Sequence, residues 1–384
     1  MNDVFITGAA RTPMGGLQGS LSGVRAAELG GVAIAAALDH AGRPHVDETI
    51  MGCVLPAGQG QAPARQAAFA AGLGEDVPAT TVNKMCGSGM KAAMLAFDSV
   101  ALGAQRTVVA GGMESMSQAP YLLPGMRSGA RLGHGAAVDS MFLDGLEDAF
   151  DKGRLMGTFA EDCAEHFQFT REAQDEYALG SLSRALEAQG GGSFVAEIAP
   201  VTVKTRKGET VIAEDEQPKA ARPDKIPQLK PAFRQDGTVT PANASSISDG
   251  AAALVLSSER EGARARILGH ASHAQAPGWF TTAPVPAAQT LLKRVGWEVG
   301  DVDLWEVNEA FAVVPMAFMR EMGLSRDIVN VNGGACALGH PIGASGARII
   351  VTLMNALEAR GLKRGVAAIC IGGGEGTALA LELV

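Results

Sequence analysis

Part of this chain occurs twice, and that duplication restricts its folding more than any other feature. Residues 82–115, VNKMCGSGMKAAMLAFDSVALGAQRTVVAGGMES, parallel residues 331–376, VNGGACALGHPIGASGARIIVTLMNALEARGLKRGVAAICIGGGEG. Each copy begins Val-Asn, crosses a glycine-rich turn, runs through a helix of small residues and ends in an apolar strand followed by glycines. Two halves built alike pack about a pseudo-twofold axis, so equivalent turns converge. That geometry brings Cys86 of one half towards His340 and Cys370 of the other, three residues otherwise far apart in the chain.

Around the two copies, strands alternate with helices, which predicts an α/β sheet. The first half reads as a strand at 4–9, a helix at 25–42, a strand at 48–55 and a helix at 64–71. The β-branched run Thr80, Thr81, Val82 then enters a helix that starts at Cys86 and ends near residue 102, and a strand at 106–110 leads into a loop, GGMESMS. From 116 to 236 the period is lost except for helices at 157–166 and 171–189, the mark of an inserted region. Within 201–234, eight Lys/Arg stand against five acids in a chain of net charge -9. A solvated surface explains most such residues, and the local excess also suits a phosphorylated ligand. Alternation resumes with a strand in DGAAALVLSS, a strand at 266–270, a helix at 285–295 and a strand at 303–307 ending at Asn308.

Cys86 lies between a strand and a helix, with Gly87 and Gly89 flanking Ser88. Unpaired backbone N–H groups and the positive helix end lower a thiol pKa there, as a nucleophile requires; a small buried core thiol fits the same position. His340 sits in a structured turn with Gly339, Pro341 and Gly343, and imidazole is the usual base for making a thiolate. Cys370 closes the apolar run VAAIC beside Gly372, Gly373 and Gly374, whose backbone can aim N–H groups at an oxygen. Two thiols and an imidazole around such a site point to acyl transfer through a thioester. Asn308 either holds a water or donates to a second oxyanion, or it caps the following helix.

Acidic balance (pI near 5.4) excludes a nucleic-acid surface, which needs a basic face. The content of 47% hydrophobic but only 5% aromatic residues, with 49 Gly, predicts close packing of small side chains. The N-terminus runs directly into a strand, and no run of about 18 apolar residues occurs, so a cytoplasmic protein without membrane contact is expected. Five cysteines without CxxC or Cys/His zinc spacing predict reduced thiols and no metal.

VNKMCGSGMKA, VVAGGMESMS, NEAF, NVNGGACALGHPIGASGAR and CIGGGEGTA, with ARTPMG and LPAGQGQAPARQAA, closely resemble the signature segments of the thiolases over nearly the whole chain. The resemblance implies the thiolase fold: two similar βαβ-rich halves in five α/β/α/β/α layers with an inserted loop domain. On it, the halves are 1–115 plus 237–262 and 263–384, with 116–236 inserted. It implies that Cys86 is acylated, that His340 activates it, that Asn308 fixes an oxyanion-hole water, and that Cys370 moves the α-carbon proton. The N–H groups of Cys86 and Gly372 would form a second oxyanion hole. It further implies that Ser245, Met156, Phe233 and Ile247 line the pantetheine arm of coenzyme A and that Lys219 and Arg222 meet its phosphates. Coenzyme A and acyl-CoA are then substrates, no cofactor is bound permanently, and a homodimer or homotetramer is expected, with residues 121–135 as tetramer contacts.

Two departures bear on substrate range. Leu155 stands before Met156 where the acetoacetyl-forming branch commonly has His, and WFTTA at 279–283 replaces a methionine-glycine pattern on the pocket wall. Longer or 2-methyl-branched 3-ketoacyl-CoA substrates therefore stand as alternatives, as does a non-catalytic lipid-binding relative. Ketosynthase-like and hydroxymethylglutaryl-CoA synthase-like enzymes share the layered fold but differ opposite the nucleophile. A cysteine hydrolase has no need of Cys370.

Overall fold

The computed structural model describes residues 2–206 and 208–384. Lys207, one of the eight basic residues of the 201–234 stretch, lies outside the described residues. Strands β1 (Val4–Arg11), β2 (Glu48–Gly52), β3 (Ala79–Val82), β4 (Thr107–Ser115) and β5 (Ser248–Ser257) form one half of a ten-stranded sheet. Strands β6 (Ala265–Ala274), β7 (Leu304–Val307), β8 (Arg364–Ile371) and β9 (Glu375–Leu383) form the other, and the tenth strand is the short Gly15–Gly16. Their order is β7-β8-β9-β6-β1-β5-β4-β2-β3. The halves join where Val4, Phe5 and Ile6 face Ile267, Arg266 and Ala265.

Read outward from this junction, β1, β5, β4 and β2 match β6, β9, β8 and β7. In each half an antiparallel core gives way to a parallel outer pair. Where β3 extends the first half, only a bridge from Trp305 to Val329 extends the second. The duplication predicted from sequence is thus visible strand by strand.

Helices α1 (Ala26–His40) and α2 (Pro63–Ala70) cover the outer face of the first half. In the second half, α6 (Pro284–Val295) and α7 (Val313–Met322) do the same, leaving α3 (Ser88–Ala101) and α8 (Ser345–Arg360) packed between the two half-sheets. That gives five layers. Every position of β1, β4 and β5 is buried, as a sheet covered on both faces requires. The central core joins Met94 of α3 and Ile350 and Leu353 of α8 to strand residues of both halves, among them Val108, Leu254, Ile369 and Leu379.

Small residues decide how α3 and α8 meet. A Cβ on Gly89 would stand 2.7 Å from the Ala347 amide nitrogen, and one on Gly346 would overlap the Met90 amide. The first turns of the two helices therefore touch backbone to backbone. This contact carries the segments before each helix, including Cys86 and His340, to one place.

The predicted GGMESMS loop is corrected: β4 continues through Gly111, Gly112, Met113, Glu114 and Ser115. Those glycines serve close approach rather than a turn, because a Cβ on Gly111 would overlap the Ala252 carbonyl and one on Gly112 the Gly343 carbonyl. The strand expected at 48–55 stops at Gly52, and Cys53, Val54 and Leu55 turn away.

Between β4 and β5 the chain forms α4 (Met156–Phe167), α5 (Arg171–Gly190) and two small hairpins. Buried Arg11 of β1 fastens this excursion, donating to Glu197 at 2.6 Å and to Asp215 at 2.7 Å. All five cysteines are free. Among the described residues no helix is long and apolar enough to cross a membrane, and no His/Cys/Asp/Glu group could hold a metal ion.

Candidate active site

Cys86 follows a turn that the backbone does not adopt freely. Met85 has φ +46°, a left-handed value costly for a residue with a side chain. The turn is closed by Asn83 Oδ1, which accepts the Met85 N–H at 2.9 Å, and by Ser88 Oγ, which accepts the Lys84 N–H at 2.8 Å. Over-determined local strain of this kind holds a side chain away from the sheet. Cys86 is half-buried as a residue and lines a cavity of about 370 Å³.

One sequence expectation about this thiol is corrected. The helix starts at Ser88, two residues after Cys86, and the thiol pKa is pushed up to about 11, not down. Burial is the main cause and Glu114 adds to it, outweighing the Gly372 and Cys86 N–H groups that favour the thiolate. Cys86 is therefore a thiol at rest, and forming its thiolate would need a base.

His340 lines the same cavity. Its ring sits 2.6 Å from Ser345 Oγ through Nδ1, and that hydroxyl donates its only proton to the Pro341 carbonyl at 3.0 Å. Nδ1 must then carry the ring proton and donate it to Ser345, which leaves a lone pair on Nε2. Nε2 has no hydrogen-bond partner among the described residues. Burial, with Arg348 nearby, lowers the imidazole pKa to about 3, so the ring is neutral and able to accept a proton. The His340 N–H is held by the Ser246 carbonyl at 3.1 Å.

Cys370, on β8, is fully buried and lies behind the cavity surface rather than on it. Burial and the neighbouring Cys86 hold its thiol pKa well above the ordinary value. Just beyond it, Gly372 lines the cavity, and its N–H lies close enough to stabilise a Cys86 thiolate. Asn308 is also fully buried and does not line the cavity. Its N–H donates to Ala368 at 2.9 Å, while both polar atoms of its side chain lack partners among the described residues. It caps no helix, since α7 begins at Val313.

Ser245, Met156, Phe233 and Ile247 all line the cavity. Phe233 stacks edge-on against Phe311 at 5.9 Å, and its ring occupies the space a Cβ on Gly157 would need. Ser245 donates its hydroxyl to the Ala310 carbonyl at 2.9 Å. A second cavity of about 340 Å³ shares Pro241 and Ser246 with the first and is lined by Arg222 and Lys225. Lys219 is not brought to either: it is 59% exposed and engaged by the Glu214 carboxylate.

Sequence reading missed two residues beneath the site. Ser345, which sets the His340 tautomer, was visible only as one small residue in GASGAR. Glu114, assigned to a loop, is buried and joins both halves. Its carboxylate accepts N–H groups of Val54 at 2.9 Å, Leu55 at 3.2 Å and Gly343 at 3.0 Å, and burial raises its pKa to about 7. An acid within an otherwise apolar strand was the available signal. The walls supplied by Phe142 and Leu146 had none, whereas Phe280 belongs to the WFTTA segment expected on the pocket wall and does line it.

Comparison with known proteins agrees with this geometry. Residues 4–260 match the thiolase N-terminal domain and residues 262–383 the thiolase C-terminal domain. The chain is 50% identical to a probable acetyl-CoA acetyltransferase of Dictyostelium discoideum, covering 100% of this chain and 94% of that one. It is 49% identical to the acetyl-CoA acetyltransferase of Cupriavidus necator, with 100% of both covered. The crystal structure of the Bacillus anthracis acetyl-CoA acetyltransferase superposes with a TM-score of 0.97 at 42% identity, covering 100% of this chain and 99% of that one. A duplicated five-layer fold, two thiols and an imidazole delivered by both halves, and these matches together place the chain in the thiolase family.

Proposed function

We propose that this protein is an acetyl-CoA acetyltransferase, moving an acetyl group between coenzyme A thioesters through an acyl-Cys86 intermediate. The observation that carries the reading is that Cys86, the free Nε2 of His340 and the Gly372 N–H meet in one largely apolar cavity, with Cys370 immediately behind.

His340 Nε2 takes the Cys86 proton as the sulfur attacks the acetyl carbonyl, and the ion pair so formed supports itself in a site of low polarity. The carbon–sulfur bond to coenzyme A breaks, and Cys370 gives its proton to the departing thiolate. The Cys370 thiolate then removes a proton from the α-carbon of a second acetyl-CoA. Burial that raises a thiol's pKa makes its thiolate a stronger base, which a weak carbon acid demands. The carbanion attacks the acyl-Cys86 carbonyl. The leaving Cys86 sulfur recovers its proton from His340, so two acetyl-CoA give acetoacetyl-CoA and free coenzyme A. Run backwards, the same steps are thiolysis.

N–H groups of Cys86 and Gly372 would hold the oxygen that gains charge at the acyl group, and each such donor is typically worth about 3 kcal/mol. Asn308 and His340 would serve the enolate oxygen, Asn308 through a bridging water. The cavity beside Arg222 and Lys225 suits the phosphates of coenzyme A. The reading extends to a cytoplasmic homodimer or homotetramer, acting in fatty acid metabolism, with residues 121–135 at the tetramer contacts.

The test is coenzyme A-dependent cleavage of acetoacetyl-CoA, longer 3-ketoacyl-CoAs and a 2-methyl derivative, followed at the thioester absorbance. Acetoacetyl-CoA is expected to show the highest kcat/KM. No cleavage of any of them would overturn the proposal.

A further inference from the structure

Two turns from different halves must stay in register if the N–H groups of Cys86 and Gly372 are to act together. Gly372 belongs to the hairpin turn between β8 and β9, in which Ile371 pairs with Glu375 and Gly373 and Gly374 have φ +94° and +88°. On the other side, Lys84 and Cys86 bridge each other around left-handed Met85. Both turns are built from conformations that most residues avoid, and such backbone keeps its place only where neighbouring contacts fix it.

Contact between them is thin. Gly87 leaves room for the Ile371 side chain, since a Cβ there would overlap Ile371 Cδ1, but apolar contact allows sliding. The one charged contact across the gap is an ion pair between Lys84 Nζ and the Glu375 carboxylate, among the ion pairs of the described residues. Lys84 lies two residues before the nucleophile and Glu375 opposite the base of the glycine hairpin. Their side chains are 23% and 36% exposed, sheltered enough for the pair to attract more strongly than one in open solvent.

We infer that Lys84 and Glu375 are positioning residues for the reaction: their ion pair clamps the nucleophile turn to the glycine hairpin and so sets the spacing of the Cys86 and Gly372 N–H groups. The clamp touches no substrate. It acts through the two donors, whose worth is greatest when charge develops on the acyl oxygen, so its loss lowers kcat and leaves KM nearly unchanged. The inference rests on the acyl-transfer reading of this site.

The test measures kcat and KM for acetyl transfer in the full-length protein and in Lys84→Met, Lys84→Arg, Glu375→Gln and the reversed pair Lys84→Glu with Glu375→Lys, each at low and high sodium chloride. Lys84→Met and Glu375→Gln are expected to lose about fivefold in kcat, the scale of a partly sheltered ion pair, with KM within about twofold. Wild-type kcat should fall with added salt, and both neutral variants should lose that sensitivity. Lys84→Arg should retain most activity, and the reversed pair should recover most of it. Both positions are partly exposed, and thermal midpoints check that every variant is folded. Neutral variants with wild-type kcat at low salt would overturn the clamp, as would a folded reversed pair no better than they are. Should the reversed pair not fold, Lys84→Arg against Lys84→Met decides. A wild-type protein that forms no acyl-enzyme would refute the underlying reading instead, which separates the two failures.

Discussion

The turn before α3 and the turn before α8 occupy equivalent places in the duplicated fold, yet they are built oppositely. The first is short: five residues separate Val82 from Ser88, one of them strained, and its cysteine stays partly exposed. The second runs from Val331 to Ser345, contains a short helical turn at Ala335–Leu338, and buries its histidine behind hydrogen bonds to Ser345 and Ser246. One copy spends its turn on a partly exposed cysteine and the other on a fixed imidazole. Because α3 and α8 touch through Gly89 and Gly346, the two differently built turns bring their side chains to one cavity.

Several substitutions would break or sharpen this contrast. Cys86→Ser, which changes only the accessible turn, is expected to lower acetyl transfer by roughly a thousandfold or more with an unchanged thermal midpoint, since an alcohol is a far poorer nucleophile at this site. Measured kcat with coenzyme A thioesters checks it. Asn308→Ala should lower kcat by about a hundredfold, the usual scale of one oxyanion donor, with a smaller change in KM. Ser345→Ala frees the His340 tautomer and should cost about tenfold in kcat, altering the pH–rate profile where a packing defect alone would not. Gly346→Ala attacks the helix contact that both turns depend on. Denaturant unfolding should show a loss of about 2 kcal/mol, because overlap with the Met90 amide outweighs the helix preference of alanine.

The smallest effect concerns stability against pH. His340 is held neutral when folded, with its pKa depressed to about 3 from an ordinary 6.5. Its contribution to stability is complete above pH 6.5 and is lost as the pH falls towards 3. Thermal midpoints measured from pH 7 to pH 4 should decline less steeply in His340→Asn than in the wild type.

Much of this was legible in the sequence, for particular reasons. Duplicated Val-Asn segments, small-residue helices and glycine turns revealed the halves and the meeting of Cys86 with His340 and Cys370. Glycine misled where it had two uses: Gly111 and Gly112 looked like a turn, but they lie inside β4 because neighbouring carbonyls approach too closely for a Cβ. The thiol pKa of Cys86 was misjudged because a helix end is visible in sequence while desolvation by distant segments is not. Glu114 and Ser345 stayed hidden for a related reason: their partners at Gly343 and His340 are fixed only by the folded turn, and a lone acid or serine announces neither. Lys219 was assigned to the coenzyme A phosphates by resemblance, yet nearby Glu214 claims it.

The central claim is that the Cys86 sulfur, brought beside the His340 imidazole by the other half, accepts the acyl group. Incubation with isotopically labelled acetyl-CoA, acid quench and peptide mass mapping measures it directly. The account predicts one acetyl label per chain, on Cys86, displaced by added coenzyme A. A stable label on Cys53, Cys163, Cys336 or Cys370 with Cys86 unmodified, or no covalent label under conditions of active turnover, would contradict it.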